Sequence, residues 1–190
     1  SYSVMPGAPV EDQTYLALNF VIGQNTDEAL VMSLDALSDV LVNQESAPVR
    51  LALQEAGIGK DVTAMVNPLH QNVFIILAMN ADPEDKDSFR ETVMDTLQKV
   101  SEEGLDKEAI EGTLNRMEFR LREGNTSQKG LSYLMQMRSG WMFAGDPFQG
   151  LEYEKTLVEV KKALDEPAEE GLIRTGMINN TYGLLMVIKT

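Results

Sequence analysis

The apolar positions of this chain change period along its length. In TYLALNFVIG, Leu16, Leu18, Phe20 and Ile22 recur at every second residue, which predicts a strand with one buried face. In NTDEALVMSLDALSDVLVN the spacing becomes helical. Leu30, Leu34, Leu37 and Leu41 form one stripe, acidic residues occupy the first turn, and Asn25 or Thr26 stands where an N-cap belongs. The run SAPVRLALQEAGIG follows. Ser46 just before Pro48 predicts a helix start, with Val49, Leu51, Leu53 and Ala56 along it and Gly57 as its stop. A phosphate-binding loop needs strand, glycines and helix in that order, with Gly-Lys-Ser/Thr; here the helix comes first and that tripeptide is missing. The glycines of Gly57-Ile58-Gly59 therefore end a helix.

DVTAMVN and NVFIILAMNAD read as two strands joined by a short turn near PLHQ, hence an antiparallel hairpin. Asp82-Pro83 starts a helix whose stripe is Phe89, Val93, Leu97 and Val100, and Gly104 ends it. From Asp106 the pattern stays helical. Three stripes follow: Ile110, Leu114, Met117 and Leu121; then Leu131, Leu134, Met135 and Met142; then Tyr153, Leu157, Val160 and Leu164. GNTSQKG and AGDPFQG are the breaks between them. DEPAEEG precedes a short last helix, and TYGLLMVIK returns to strand. Strand, helices, hairpin, several helices and strand together predict an α+β fold, an antiparallel sheet with helices packed mainly on one face.

Composition narrows the function classes. The 190 residues fit one domain, or one lobe of something larger, and 43% hydrophobic content supports a packed core. The net charge of −14 repels nucleic acid and anionic lipid, so neither is expected as a partner; it favours solubility and attracts basic peptides. No cysteine is present, which removes disulfides, thiol catalysis and thiolate metal sites. The apolar run Val73–Met79 is far short of the roughly 20 residues a membrane helix needs. The chain opens on Ser1 and stops on the apolar LLMVIKT, so we expect residues 1–190 to be a single α+β domain excised from a longer polypeptide.

Candidate chemistry is sparse. His70, the one histidine, lies in the turn NPLHQN and cannot build a multi-histidine zinc site alone. No Gly-x-Ser-x-Gly elbow presents a serine. Glu118 and Arg122 stand four apart and predict a surface ion pair; Asp35 and Asp39 form a like-charge pair on a solvated face. The eleven methionines and Trp141 read as core. On the residues alone, neither a catalytic, a metal nor a cofactor site is expected in this chain.

Four stretches carry a family resemblance. SAPVRLALQEAGIGKDV resembles the helix-and-glycine segment of the presequence-protease branch of the insulinase/pitrilysin zinc metallopeptidases, through Ser46, Ala47, Pro48, Leu53, Gly57, Ile58 and Gly59; Ala56 stands where serine is usual. EEGLDKEAIEGTLNRMEFRLRE is similar through Gly104, Ile110, Glu111, Glu118, Phe119, Arg122 and Glu123. KGLSYLMQMRSGWMFAGDPFQGLEYEKTL is similar through Gly130, Leu131, Trp141, Gly145, Asp146, Pro147 and Leu151. The tail GLIRTGMINNTYGLLMVIKT resembles the strand entry, with Tyr182 where histidine is common.

The resemblance implies the second, non-catalytic domain of such an enzyme, half of a clamshell lobe. Its zinc belongs to the first domain, on an inverted H-x-x-E-H helix that a chain with one histidine cannot form. The implied function is to pack beside the zinc-bearing domain and wall a chamber that degrades short unstructured peptides. This fragment would then be inactive and zinc-free, with zinc in the parent chain, the catalytic domain and peptides as partners, and the bacterial cytoplasm or an organelle matrix as location. Pro48, Gly57, Gly59, Glu111, Glu118, Arg122, Trp141, Asp146 and Pro147 are the family-motif positions, read as structural. Two rivals stand beside this. One is a scaffold or peptide-binding domain of a catalytically inactive relative. The other is an unrelated enzyme working through clustered, pKa-shifted carboxylates in a deep pocket.

Overall fold

Alternating burial along β1 (Thr14–Gln24) turns Leu16, Leu18, Phe20 and Ile22 to the core, as their period-two spacing predicts. A computed structural model describes residues 13–123, 129–144, 146, 148, 151–165 and 168–188 of the chain. β1 lies at the centre of a four-stranded sheet of order β2-β3-β1-β4, in which every neighbouring pair is antiparallel. The other strands are β2 (Asp61–Pro68), β3 (Gln71–Ala81) and β4 (Gly183–Ile188). β2 and β3 form the expected hairpin through Leu69 and His70. In register, Leu18 lies between Ile76 of β3 and Leu185 of β4.

Helices cover one face. They are α1 (Glu28–Ser38), α2 (Pro48–Glu55), α3 (Lys86–Glu103), α4 (Lys107–Glu123), α5 (Lys129–Ser139), α6 (Tyr153–Asp165) and α7 (Ala168–Ile173). The main core joins the inner sheet face to Leu34, Leu37 and Leu41, to Phe89, Val93 and Leu97 of α3, and to Ile173 and Met177. A second, smaller core sits on the other side of α1. There Ala36 and Val40 meet Ile110, Leu114 and Met117 of α4 and Val160 of α6. α1 is thus a middle layer, which explains why its stripe is wider than its leucines alone suggest. The outer sheet face is different: Met65, Leu184 and Met186 on it are exposed.

The Gly-Ile-Gly segment performs two jobs. The Ile58 amide donates to the Leu53 carbonyl at 2.9 Å and the Gly57 amide to Gln54 at 3.0 Å, while Gly57 has φ 71°. This is a Schellman stop, closed by the buried pair Leu53 and Ile58. Gly59, also at φ 71°, lies against β3, where a Cβ would meet the Met79 carbonyl oxygen at 3.0 Å. It is a close-approach glycine as well as part of a helix stop.

The β2 edge is sealed by side chains. The Asn43 amide donates to the Ala64 carbonyl at 3.0 Å, and its oxygen accepts from the Ala64 amide at 2.8 Å. Arg50 donates to the Val62 carbonyl beside it. These contacts occupy backbone groups that an edge strand otherwise leaves free to pair with another chain.

Several sequence expectations need correction. The N-cap of α1 is Asp27, whose carboxylate accepts from the Leu30 amide at 3.0 Å; Asn25 is instead buried. Ala47, not Ser46, precedes α2, with no side-chain cap bond, and Pro48 is its first residue. α2 is short and buries Val49 and Leu53, leaving Leu51 and Ala56 exposed. The largest correction concerns α5 and the π-type turn after it (Gly140–Ala144). Leu131, Leu134, Met135 and Met142 are exposed, and so is Trp141, at 66%. Their helical spacing is real, but these side chains are about half exposed or more, and Met135 lines a cavity beside α1 rather than the core. Leu164 and most of the two predicted breaks around α5 fall outside the residues whose side chains are described.

Candidate ligand cavity and an uncovered apolar face

The nine family-motif positions do not converge on one site. Pro48, Gly57 and Gly59 shape α2 and its exit onto β3. Glu111 is exposed on α4. Glu118 does more than pair with Arg122, at 2.5 Å, because its second oxygen accepts from Lys161 of α6 at 2.6 Å. The Lys161 bond, and then the two positive charges, hold its carboxyl below the usual range. Glu118 thus ties α4 to α6. Trp141 lies on the uncovered face, Asp146 accepts from the Phe148 amide at 2.9 Å, and Pro147 lies outside the described residues.

What the fold brings together is a cavity of about 430 Å³ lined by α1, α4, α5 and the start of α6, with Asn25, Thr26 and Pro68 at one end. Its apolar walls include Val31, Met32, Met117, Leu121 and Met135. Its charged lining residues are Glu28, Asp35 and Arg120. Asp35 is open to solvent, yet it stands in a concavity with protein packed around it. Desolvation, then repulsion from Asp39, pushes its carboxyl up to about 6 against the opposing pull of Arg120. Glu28 is raised as well, chiefly by burial. A hydrogen bond from Thr156 opposes this, and Glu152 and Asp146 add repulsion.

Asn25 is the residue sequence reading misplaced. It is 2% exposed, and neither its Oδ1 nor its Nδ2 has a hydrogen-bond partner among the described residues. The Oδ1 of Asn72 is in the same condition, while its Nδ2 donates to the Gln24 carbonyl at 3.1 Å. These orphaned atoms gather where β1 runs into the cavity wall, and unpaired buried polar atoms are uncommon. The β2–β3 turn closes the same end. His70 meets Phe143 edge-on at 5.4 Å between ring centres, and Arg138 of α5 donates to the Pro68 carbonyl at 3.2 Å. His70 is thus a turn residue with an aromatic neighbour. No group of three His, Cys, Asp or Glu able to hold a metal ion occurs among the described residues. Nor, among them, is any helix long and apolar enough to cross a membrane.

Beside the cavity lies an uncovered apolar face. Leu131, Tyr133, Leu134, Trp141, Met142, Phe143 and Phe148 are all exposed on and after α5. Exposed apolar residues grouped along one segment are the kind of feature that interaction surfaces carry. The sequence signal for it was the apolar stripe itself, read as facing inward.

The comparisons agree with this architecture. The family described as the Peptidase M16 inactive domain matches residues 1–117. Protein HypA of Clostridium perfringens is 40% identical over 189 residues, covering 98% of this chain and 19% of that protein. Presequence protease 1 of Arabidopsis thaliana, chloroplastic/mitochondrial, is 31% identical over 176 residues, covering 88% of this chain and 16% of that protein. The chain therefore spans less than a fifth of the length of these curated relatives. Among solved structures, an inactive peptidase domain from Bordetella parapertussis aligns with TM-score 0.69 at 14% identity, covering 93% of each chain. Pitrilysin aligns with TM-score 0.58 at 16% identity over 83% of this chain and 18% of its own. These likenesses share the antiparallel sheet with its helical layer, and the sequence matches go further: the chain belongs to the M16 peptidase family, as an inactive domain of that family.

Proposed function

We propose that residues 1–190 are a single non-catalytic domain of a longer zinc-dependent peptidase. In this reading the domain packs beside the zinc-bearing domain and walls an enclosed chamber in which short unstructured peptides are degraded. The family-motif positions then hold the wall together: Gly57 and Gly59 set the exit of α2, and Glu118 with Arg122 and Lys161 fastens the outer helices. The cellular site is the bacterial cytoplasm or an organelle matrix.

The observation that carries the reading is the uncovered face on and after α5, in a chain that matches an inactive peptidase domain. Trp141, Met142 and Phe148 stand out from it, and aromatic and methionine side chains are the kinds enriched at buried interface cores. The chain's own residues do not fit the family's zinc. One histidine and no cysteine cannot supply the two-histidine helix, so the metal and its chemistry belong to the companion domain.

The test compares the 190-residue chain with the longer protein that contains it, using a quenched-fluorescence peptide and metal analysis. The longer protein is expected to bind zinc and cleave the peptide, and to stop cleaving when chelator removes the metal. The chain alone is expected to do neither. Stoichiometric zinc in the chain alone, or cleavage by it, overturns the reading.

A further inference from the structure

The described helices fill one face of the sheet and leave the other uncovered. Charged residues make up 24% of the chain, yet β1, β3 and β4 carry none. An antiparallel sheet that shows one face to water carries polar and charged residues there. Here the outer rows are mostly apolar. Ala17 lies between Leu77 and Met186, Asn19 between Ile75 and Leu184, and Val21 beside Val73. Asn19, the one amide in these rows, turns its Nδ2 back on the sheet. It donates to the Leu184 carbonyl at 3.1 Å and to the Ala17 carbonyl at 3.4 Å, so its N–H groups need no water. Ala17 and Asn19 are smaller than their neighbours on both sides. The outer face is thus a trough along β1, walled by the larger side chains of β3 and β4.

We infer that this trough holds one amphipathic helix supplied by the longer protein from outside residues 1–190. The inference rests on the reading that the chain is a domain of such a protein. It spans 19% and 16% of two relatives, which leaves most of the polypeptide to supply the helix. The kind of cover follows from the face itself. A sheet face offers no backbone partners, so an extended segment lying on it leaves its own N–H and C=O groups unpaired over an apolar floor. A helix satisfies its backbone internally and needs only an apolar stripe. A second copy of this chain presents another trough, and two concave faces leave the space above Ala17 unfilled. The β3 and β4 walls stand two strand spacings apart, about 10 Å, which matches the width of a helix. Tyr15 to Val21 of β1 runs about 20 Å, the length of roughly 13 helical residues.

The experiment uses the longer protein that contains this chain. Its methionines are oxidised with dilute hydrogen peroxide and followed by mass spectrometry, with the urea-unfolded protein as reference. Met186 is 42% exposed on the open face, which by itself slows oxidation only about twofold. Under a helix it is expected to oxidise at least about fivefold more slowly than in urea. That protection is expected to be equal at about 10 μM and about 0.1 μM protein, because a tethered helix does not dissociate on dilution. Met177, buried in the main core, reports that the domain is folded. The occupant is then identified by photo-crosslinking from Leu184→p-benzoylphenylalanine. The expected adducts lie in the same chain, outside residues 1–190, on one segment at positions three or four apart. If Met177 shows that this variant is unfolded, Met65→p-benzoylphenylalanine takes its place. The inference is overturned if Met186 falls short of that protection while Met177 keeps its own, or if protection is lost on dilution. It is also overturned if the adducts lie in a second copy or at every second residue of an extended segment. Zinc content and peptide cleavage are measured on the same protein. An active protein with Met186 reactive overturns this inference alone. A zinc-free, inactive protein with Met186 protected overturns the peptidase reading alone.

Discussion

The stripe of α3 and the stripe of α5 look alike in the sequence and end in opposite places. Phe89, Val93 and Leu97 are completely buried against the sheet, whereas Leu131, Leu134 and Met135 are about half exposed. Apolar residues at helical spacing show that a face seeks cover; they do not show which surface covers it. In α3 the cover is α2, α7 with the turn that follows it, and β1 of the same domain. For α5 we propose that it comes from the remainder of a protein more than five times this chain's length, judging by its relatives. On that proposal, a core and an interface leave the same apolar pattern in the sequence.

The sharpest way to break that comparison is to truncate one aromatic from each region. Phe89→Ala is expected to destabilise the chain by about 3–5 kcal/mol, because a fully buried ring leaves a cavity that relaxes only in part. Trp141→Ala is expected to change the stability of the chain by no more than about 0.5 kcal/mol, as at an ordinary surface position. Urea unfolding of both variants checks this. In the longer protein the same tryptophan substitution is expected to weaken packing between domains, seen as faster limited proteolysis. Equal losses from Phe89 and Trp141 in the chain itself contradict the division into core and interface.

A comparison of the two glycines comes next in size. Gly57 and Gly59 share φ 71°, but only Gly59 is crowded. An added Cβ at Gly57 meets open space, so Gly57→Ala is expected to cost about 1 kcal/mol, the strain of a left-handed residue. Gly59→Ala adds a collision with the Met79 carbonyl, which belongs to β3 and cannot swing aside, and is expected to cost about 2–3 kcal/mol. Thermal melts of the two variants give the ranking directly. A reversed order means that β3 yields more easily than its central place in the sheet implies.

Local pattern made most of the fold legible. β1, the hairpin, α3 and its Gly104 stop, and the last strand all follow from periodicity and turn residues that act over a few positions. The cavity was not legible, because it is made where four helices meet and no local spacing encodes that meeting. Asp35 and Asp39 read as a solvated pair, which is what i,i+4 carboxylates are on most helices. The packing of α4 against α1 set both beside concavities, Asp35 at the larger apolar one and Asp39 against Asn115, Arg116 and Phe119. Asn25 read as a cap because asparagine before a helix usually is one. Asp27, two residues later, took that role and left Asn25 in the wall. Trp141 failed for a different reason: it sits in an apolar run that reads as core, yet among the described residues its side chain is exposed.

Asp35 offers the smallest test, since it separates a solvated surface from a half-enclosed one. Its carboxyl is raised from 3.8 to about 6, so between those pH values the folded chain holds a proton that the unfolded chain has released. Folding is then favoured at the acid end of this window, and this contribution is lost as pH rises through it. Asp35→Asn removes the cost of a partly desolvated charge beside Asp39. It is expected to stabilise the chain at pH 7 by no more than about 1 kcal/mol, because Asp35 remains open to solvent and water screens its interactions. At pH 3.5, where the aspartate is mostly protonated in either state, nearly all of the gain is expected to be lost. Urea midpoints at the two pH values decide the matter. A variant less stable at pH 7 instead means that attraction to Arg120 outweighs desolvation and the repulsion from Asp39, and that α1 meets α4 there as an ion pair rather than as the wall of an acidic cavity.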